Sequence, residues 1–121
     1  MKEKKMFLEK KFYEFIQNNS GGNYKISKEE KISKHILIEA FNSYEANALA
    51  LQYTEIYFDG VDCQHDCECC GDRWKRVRES DVIDSSIEEY KKNLKKRFLE
   101  TDTDFFCILH YGSDELEIVE V

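Results

Sequence analysis

Asp104-Phe105-Phe106-Cys107-Ile108-Leu109-His110-Tyr111 is the clearest strand in the chain. Phe105, Cys107 and Leu109 alternate with Phe106, Ile108 and His110, so a period of two puts bulky side chains on both faces. Both faces are therefore expected to be buried. Gly112-Ser113 reads as a two-residue hairpin turn, and Glu115 to Val121 as the strand that returns from it.

Working back from that strand, Ser85-Ser86-Ile87-Glu88 matches a capping box, with Ser85 as cap and Glu88 at the third helical position. The helix it opens is expected to run to about Glu100. Ile87, Tyr90, Leu94 and Phe98 fall at helical spacing and form its apolar seam. Lys91, Lys92, Lys95, Lys96 and Arg97 form a solvated face balanced by Glu88, Glu89 and Glu100. Lys75 to Asp84 is polar and carries no clear period.

In the first half, Lys34 to Ala40 is a second strong strand, with Ile36, Ile38 and Ala40 on one face and His35, Leu37 and Glu39 on the other. Asn42 or Ser43 can cap a helix over Tyr44 to Tyr53. Glu45 sits in its first turn, where a negative charge suits the helix dipole. Ala46, Leu49, Ala50 and Tyr53 make its inward stripe. Lys11 to Gln17 alternates as a strand, in competition with an amphipathic helix from Met6. Asn18-Asn19-Ser20-Gly21-Gly22 ends it as a turn, and Tyr24 and Ile26 suit the returning strand of a hairpin. Glu55 to Phe58 reads as a short strand. The expected fold class is α+β: one small domain over residues 1–121, a mostly antiparallel sheet, two helices covering one face, and a cysteine-rich loop over 59–74. Residues 85–121 supply the C-terminal helix and hairpin.

The composition supports one compact core. The chain has 121 residues, of which 41% are hydrophobic, and no internal repeat or low-complexity linker. A net charge of −7 disfavours general nucleic-acid binding, whose affinity comes from Lys and Arg on phosphate, and suits a basic partner surface. No apolar run approaches the roughly 20 residues that span a bilayer. Met1-Lys2-Glu3-Lys4-Lys5 is not followed by the apolar stretch of a signal peptide. The expected location is the cytoplasm, where thiols stay reduced and clustered cysteines favour metal or redox chemistry over disulfides.

Four of the five cysteines lie in Cys63-Gln64-His65-Asp66-Cys67-Glu68-Cys69-Cys70. Cys67 and Cys70 have the two-residue gap that lets both reach one ion, and Gly71 frees the backbone beneath them, as in half of a zinc knuckle. A closed structural zinc site needs four ligands, so Cys63 and His65 complete the candidate set. His35, Cys107 and His110 are remote alternatives. Cys69 is adjacent to Cys70 and points elsewhere. Three readings stay open: a structural metal, reduced thiols that pack a tight loop, and thiol chemistry with Arg73 or His65 lowering a cysteine pKa. The first is favoured. Asp59, Asp62 and Asp66 lack calcium-loop spacing and fit turn chemistry.

Asp72-Arg73-Trp74 also has two readings. In the local one Asp72 accepts loop amides, Arg73 pairs with Asp59 or Asp62, and Trp74 plugs the sheet edge. In the other, Arg73 and Trp74 form a recognition patch that Tyr57, Asp72 and Arg76 extend.

Several of these segments together resemble a known group. They are Phe15-Ile16-Gln17-Asn18-Asn19-Ser20-Gly21-Gly22, Ile38-Glu39-Ala40 before a helix with Glu45-Ala46, Tyr57-Phe58-Asp59-Gly60, and Asp66-Cys67-Glu68-Cys69-Cys70-Gly71-Asp72-Arg73-Trp74. In this order they resemble a family of small, functionally uncharacterised bacteriophage proteins, over roughly residues 12 to 74. The resemblance implies a phage or prophage origin and an accessory protein acting in the infected or lysogenic host cell. It implies no reaction.

The expected function is a non-catalytic module that binds a host protein or a small host molecule such as a signalling nucleotide, and so antagonises host antiviral defence. A small thiol- or zinc-dependent enzyme is the alternative, and a nucleic-acid-binding protein the second alternative. A homodimer through an exposed strand edge is a further expectation.

Overall fold

The computed structural model describes residues 9–18, 24–58, 74–97 and 105–121. The strands are β1 (Lys11–Ile16), β2 (His35–Ala40), β3 (Phe105–Leu109) and β4 (Glu117–Glu120). The helices are α1 (Ser43–Tyr53) and α2 (Ile87–Arg97), both between β2 and β3 in sequence. The four strands form one sheet in the order β1-β2-β3-β4. Its outer pairs are antiparallel, with Lys11 opposite Ala40 and Phe105 opposite Glu120. Its central pair is parallel, with Ile36 opposite Cys107. The domain is thus α+β with a mixed sheet.

The parallel pair dictates the rest. Parallel neighbours need a long crossover, and here it contains both helices. Such strands are covered on both faces, and all five residues of β3 are buried. On one face Ile36, Ile38, Cys107 and Leu109 pack with Ala46 and Ala50 of α1 and with Ile56, Trp74 and Val77. On the other, Leu37, Phe106 and Ile108 pack with Tyr90 and Leu94 of α2. The helices therefore sandwich the sheet, which corrects the expectation that both cover one face. Each large side chain so removed from water contributes about 1.5–3 kcal/mol.

Three local expectations also change. The antiparallel partner of β1 is β2, not a strand through Tyr24 and Ile26. The chain between them is held instead by Gln17, whose Nε2 donates to the carbonyls of Lys25 (3.0 Å) and Ser33 (3.1 Å). Glu55 to Phe58 contains no strand. In the closing hairpin the turn is centred on Tyr111-Gly112, with Ser113 N donating to His110 O at 3.0 Å. Gly112 has φ +85°, as the third residue of a type II turn requires. The Ser113 hydroxyl donates to Glu115 O (2.9 Å) and accepts from Glu115 N (3.2 Å), which diverts the chain and delays β4 to Glu117.

The caps follow side-chain chemistry. Asn42 Oδ1 accepts from Glu45 N at 2.8 Å and opens α1. For α2 the cap is Ser86, one residue after the expected Ser85: its Oγ accepts from Glu89 N at 3.2 Å. Consecutive serines and consecutive glutamates fit the capping pattern in either register, so the sequence pattern alone is degenerate there.

The outer edge of β1 is covered where Ile83 N donates to Phe12 O at 3.0 Å and Val82 bridges Tyr13. Among the described residues, no helix is long and apolar enough to cross a membrane.

Candidate functional site

The cysteine-rich segment, 59–73, lies outside the described residues. The candidate ligands Cys63, His65, Cys67 and Cys70 fall there, as do Asp72 and Arg73. The structure does describe the two stems that carry this segment. One is Ile56-Tyr57-Phe58 and the other is Trp74-Lys75-Arg76-Val77-Arg78.

Both stems are fastened to α1. At its C-terminus Thr54 N and Thr54 Oγ1 both donate to Ala50 O, at 3.2 and 2.7 Å. The same hydroxyl accepts from Ile56 N at 2.9 Å and turns the chain inward, where Ile56 is buried. The returning stem is held by Asn47 in mid-helix. Its Oδ1 accepts from Val77 N at 2.9 Å and its Nδ2 donates to Val77 O at 3.1 Å. This reciprocal amide clamp satisfies both backbone groups of Val77, which a buried residue outside regular structure needs.

Trp74 is 1% exposed and packs in the main core. It also forms one wall of a cavity of about 220 Å3 with Lys25, Ile32, Glu55 and Tyr57. Tyr57 is half-buried beside it. Arg76 is exposed, and its guanidinium carbon lies 4.8 Å from the centroid of the Phe58 ring. Phe58 in turn stacks on Phe15 of β1, with centroids 6.4 Å apart and an interplanar angle of 25°. The stack Arg76–Phe58–Phe15 thus joins the two stems to each other and to the sheet. A second cavity, about 440 Å3, opens beside it between Ile16, Lys75, Arg76 and Arg78, with Glu14 and Asp81 on its wall. Of the sequence-derived binding residues, Tyr57, Trp74 and Arg76 therefore gather at the stems.

The remote ligand candidates do not form a three-residue cluster among the described residues. Cys107 is fully buried in the core beneath α1, and burial pushes its thiol pKa up against the lesser opposing effects of Ser33 and Lys31. That keeps it a neutral packing group. His35 is 2% exposed, with Nδ1 3.3 Å from Glu14 Oε2. His110 is about half exposed, and its Nε2 lies 2.7 Å from Glu117 Oε1. Among the described residues, no three of His, Cys, Asp and Glu are grouped to hold a metal ion.

Sequence reasoning missed Asn47, Phe58, Lys75 and Arg78 as parts of the site. A signal existed for Asn47: it is a polar residue inside an otherwise alanine- and leucine-rich helix. Phe58 gave none, because its partners come from distant elements.

A family model described as a domain of unknown function (DUF7296) matches residues 10–117, which takes in both stems and the segment between them. No curated protein and no solved structure matches the chain.

Proposed function

The chain belongs to the family described as a domain of unknown function (DUF7296), and from that premise we propose that it is a non-catalytic binding module whose recognition surface is the 59–73 segment and its two stems. The observation that carries this reading is the double attachment to α1. Asn47 clamps one stem, Thr54 directs the other, and the Arg76–Phe58 contact ties them together. A segment launched from and returned to one helix is presented on a rigid base, which reduces the ordering cost of binding. Tyr57 and Arg76 provide an aromatic ring and a guanidinium at that base, the residue types favoured at recognition hot spots.

In this proposal Cys63, His65, Cys67 and Cys70 hold one zinc ion that stiffens the segment, supported by the donor types, their spacing and the joined stems. The resemblance to bacteriophage proteins supports a phage accessory protein in the host cytoplasm, with a host protein or a small host molecule as its target and antagonism of antiviral defence as its effect. Lys75, Arg76 and Arg78 around one cavity favour an anionic group on that target, as a signalling nucleotide has. Self-association through a sheet edge has less support: a second copy of β4 would set Glu117 and Glu120 against like charges, and the β1 edge is occupied at Phe12 and Tyr13 by Val82 and Ile83.

The test is affinity capture from host lysate followed by titration of the purified target into the wild-type chain and a Tyr57→Ala, Arg76→Ala variant. Loss of affinity in the variant supports the proposal. A target that binds both chains equally well overturns it. Native mass spectrometry with ligand-by-ligand substitution separates the enzyme alternative, because a catalytic zinc keeps an open position and three protein ligands.

A further inference from the structure

Helix α1 is apolar on two sides. Ala46 and Ala50 enter the core, while Tyr44, Ala48 and Leu51 lie on the opposite face at spacings of four and three residues. Tyr44 is 86% exposed and Leu51 52% exposed. A surface helix ordinarily carries charged residues on that side, and this chain has ample supply, with 36% charged residues. The uncharged outer stripe is therefore a departure from the rest of the sequence, and neither the core nor the stems account for it.

A cavity of about 480 Å3 adjoins the helix, with Glu45, Leu49 and Tyr53 on one side and His110, Tyr111 and Asp114 on the other. Leu49 and Leu109 give it apolar surface beside a similar share of polar surface, and its surroundings are acidic. Glu45 Oε2 accepts the Tyr111 hydroxyl at 3.0 Å, Glu39 Oε1 accepts Tyr111 N at 2.9 Å, and Glu117 holds His110. A cation already rests on this rim: Lys10 Nζ lies 5.3 Å from the centroid of the Tyr111 ring.

We propose that the outer face of α1 and this cavity form a docking surface for a basic amphipathic segment of a partner protein. Apolar side chains of that segment would cover Tyr44, Ala48 and Leu51, and its lysines or arginines would face Glu45 and Asp114. Charge complementarity selects this occupant. The chain carries a net −7, which repels nucleic acid and acidic proteins. A second copy docking helix to helix would bring Glu45 of each copy into a shared acidic rim. This surface is separate from the loop stems and stands whether or not they bind a target.

The probes are three synthetic peptides titrated into the isotope-labelled full chain and followed by amide NMR: a helical Leu/Lys amphipathic repeat, its Leu/Glu counterpart, and oligolysine. The Leu/Lys peptide is expected to shift amides in 44–53 and 109–114, with the Leu/Glu peptide silent and oligolysine much weaker. Ala48→Lys with Leu51→Lys should weaken binding by about tenfold or more, and Tyr44→Ala should weaken it less, both with unchanged melting. Arg76→Ala should leave it intact, which separates this surface from the stems. Shifts centred elsewhere, equal binding of oligolysine, or a dimer in sedimentation that the double lysine variant dissolves would each overturn the proposal.

Discussion

Tyr13 and Glu79, 66 positions apart, are joined by a hydrogen bond of 2.8 Å from the tyrosine hydroxyl to Oε1. The other carboxylate oxygen accepts from Ser43 N at 2.7 Å, so one side chain pins β1 to the start of α1. Burial and the Glu79 carboxylate push the Tyr13 phenol up to about 12. The bonds from Ser43, and then from Tyr13, hold Glu79 below its ordinary value of 4.5.

The pH dependence follows from these directions. Glu79 has a lowered pKa in the folded state, so its contribution is present above the ordinary glutamate value and is lost as pH falls through the depressed one. Tyr13 has a raised pKa, so its contribution is present below 10.0 and is lost as pH rises through about 12. Melting curves of Glu79→Gln should show a flatter acid limb than wild type. Tyrosinate absorbance should show a phenol that ionises only near the top of the alkaline range and is lost in Tyr13→Phe, while the Tyr111 phenol, raised by its bond to Glu45, remains; Tyr13→Phe should itself cost about 1 kcal/mol. An unchanged acid limb in Glu79→Gln would remove the assigned role.

Asn47→Ala removes both bonds to Val77 and leaves a buried amide and carbonyl without them. The expected loss is about 1–3 kcal/mol in denaturant unfolding. Hydrogen exchange should accelerate at 74–78 before it does in β2 or β3, because the clamp holds the stem and not the sheet.

The placement of α2 against the second face of the sheet can be checked by two leucines. Leu94 is 1% exposed beneath Phe106 and Ile108, and Leu51 is 52% exposed on α1. Leu94→Ala should cost about 2–5 kcal/mol, and Leu51→Ala should stay within about 0.5 kcal/mol. Equal losses would contradict the sandwich.

Gly112 has no heavy atom within 4 Å of the position a Cβ would take, so substitution there meets only the backbone penalty of its φ of +85°. Gly112→Ala should destabilise by about 1 kcal/mol, and Gly112→Asn by less, since asparagine tolerates positive φ. A neutral alanine variant would show that the turn relaxes.

The metal proposal predicts unequal cysteines. Cys67→Ala and Cys70→Ala should each lower the melting temperature strongly and release zinc in native mass spectrometry, while Cys69→Ala should do neither. A chelator should reproduce the loss in the wild-type chain and not in the Cys67 variant. Three small and equal effects would favour thiols that merely pack.

Much of this was legible from side-chain periodicity. The alternation of Phe105 to Leu109 and of His35 to Ala40 located the two central strands, because a period of two is a local property of an extended chain. Asn42 with Glu45, and the spacing of Ala46, Leu49 and Ala50, marked α1 for the same reason. The candidate site was legible only in part. Tyr57, Trp74 and Arg76 stand out by residue type, but Asn47 and Phe58 act through residues in other elements, and residue type alone does not report a partner.

The chain's own residues thus determined where the two central strands and both helices form, since φ/ψ preference, capping and apolar spacing act over a few positions, while the strands they suggested at Tyr24 and Ile26 and at Glu55 to Phe58 did not form. Which strands pair, and in which direction, was decided only in three dimensions. The apolar faces of Phe106 and Ile108 had to be covered as well as those of Phe105, Cys107 and Leu109, and a parallel central pair with one helix on each side does so. The same packing carries Trp74 into the core and lays Arg76 over Phe58, because burial and contact between distant segments are properties of the assembled sheet and not of any short stretch of sequence.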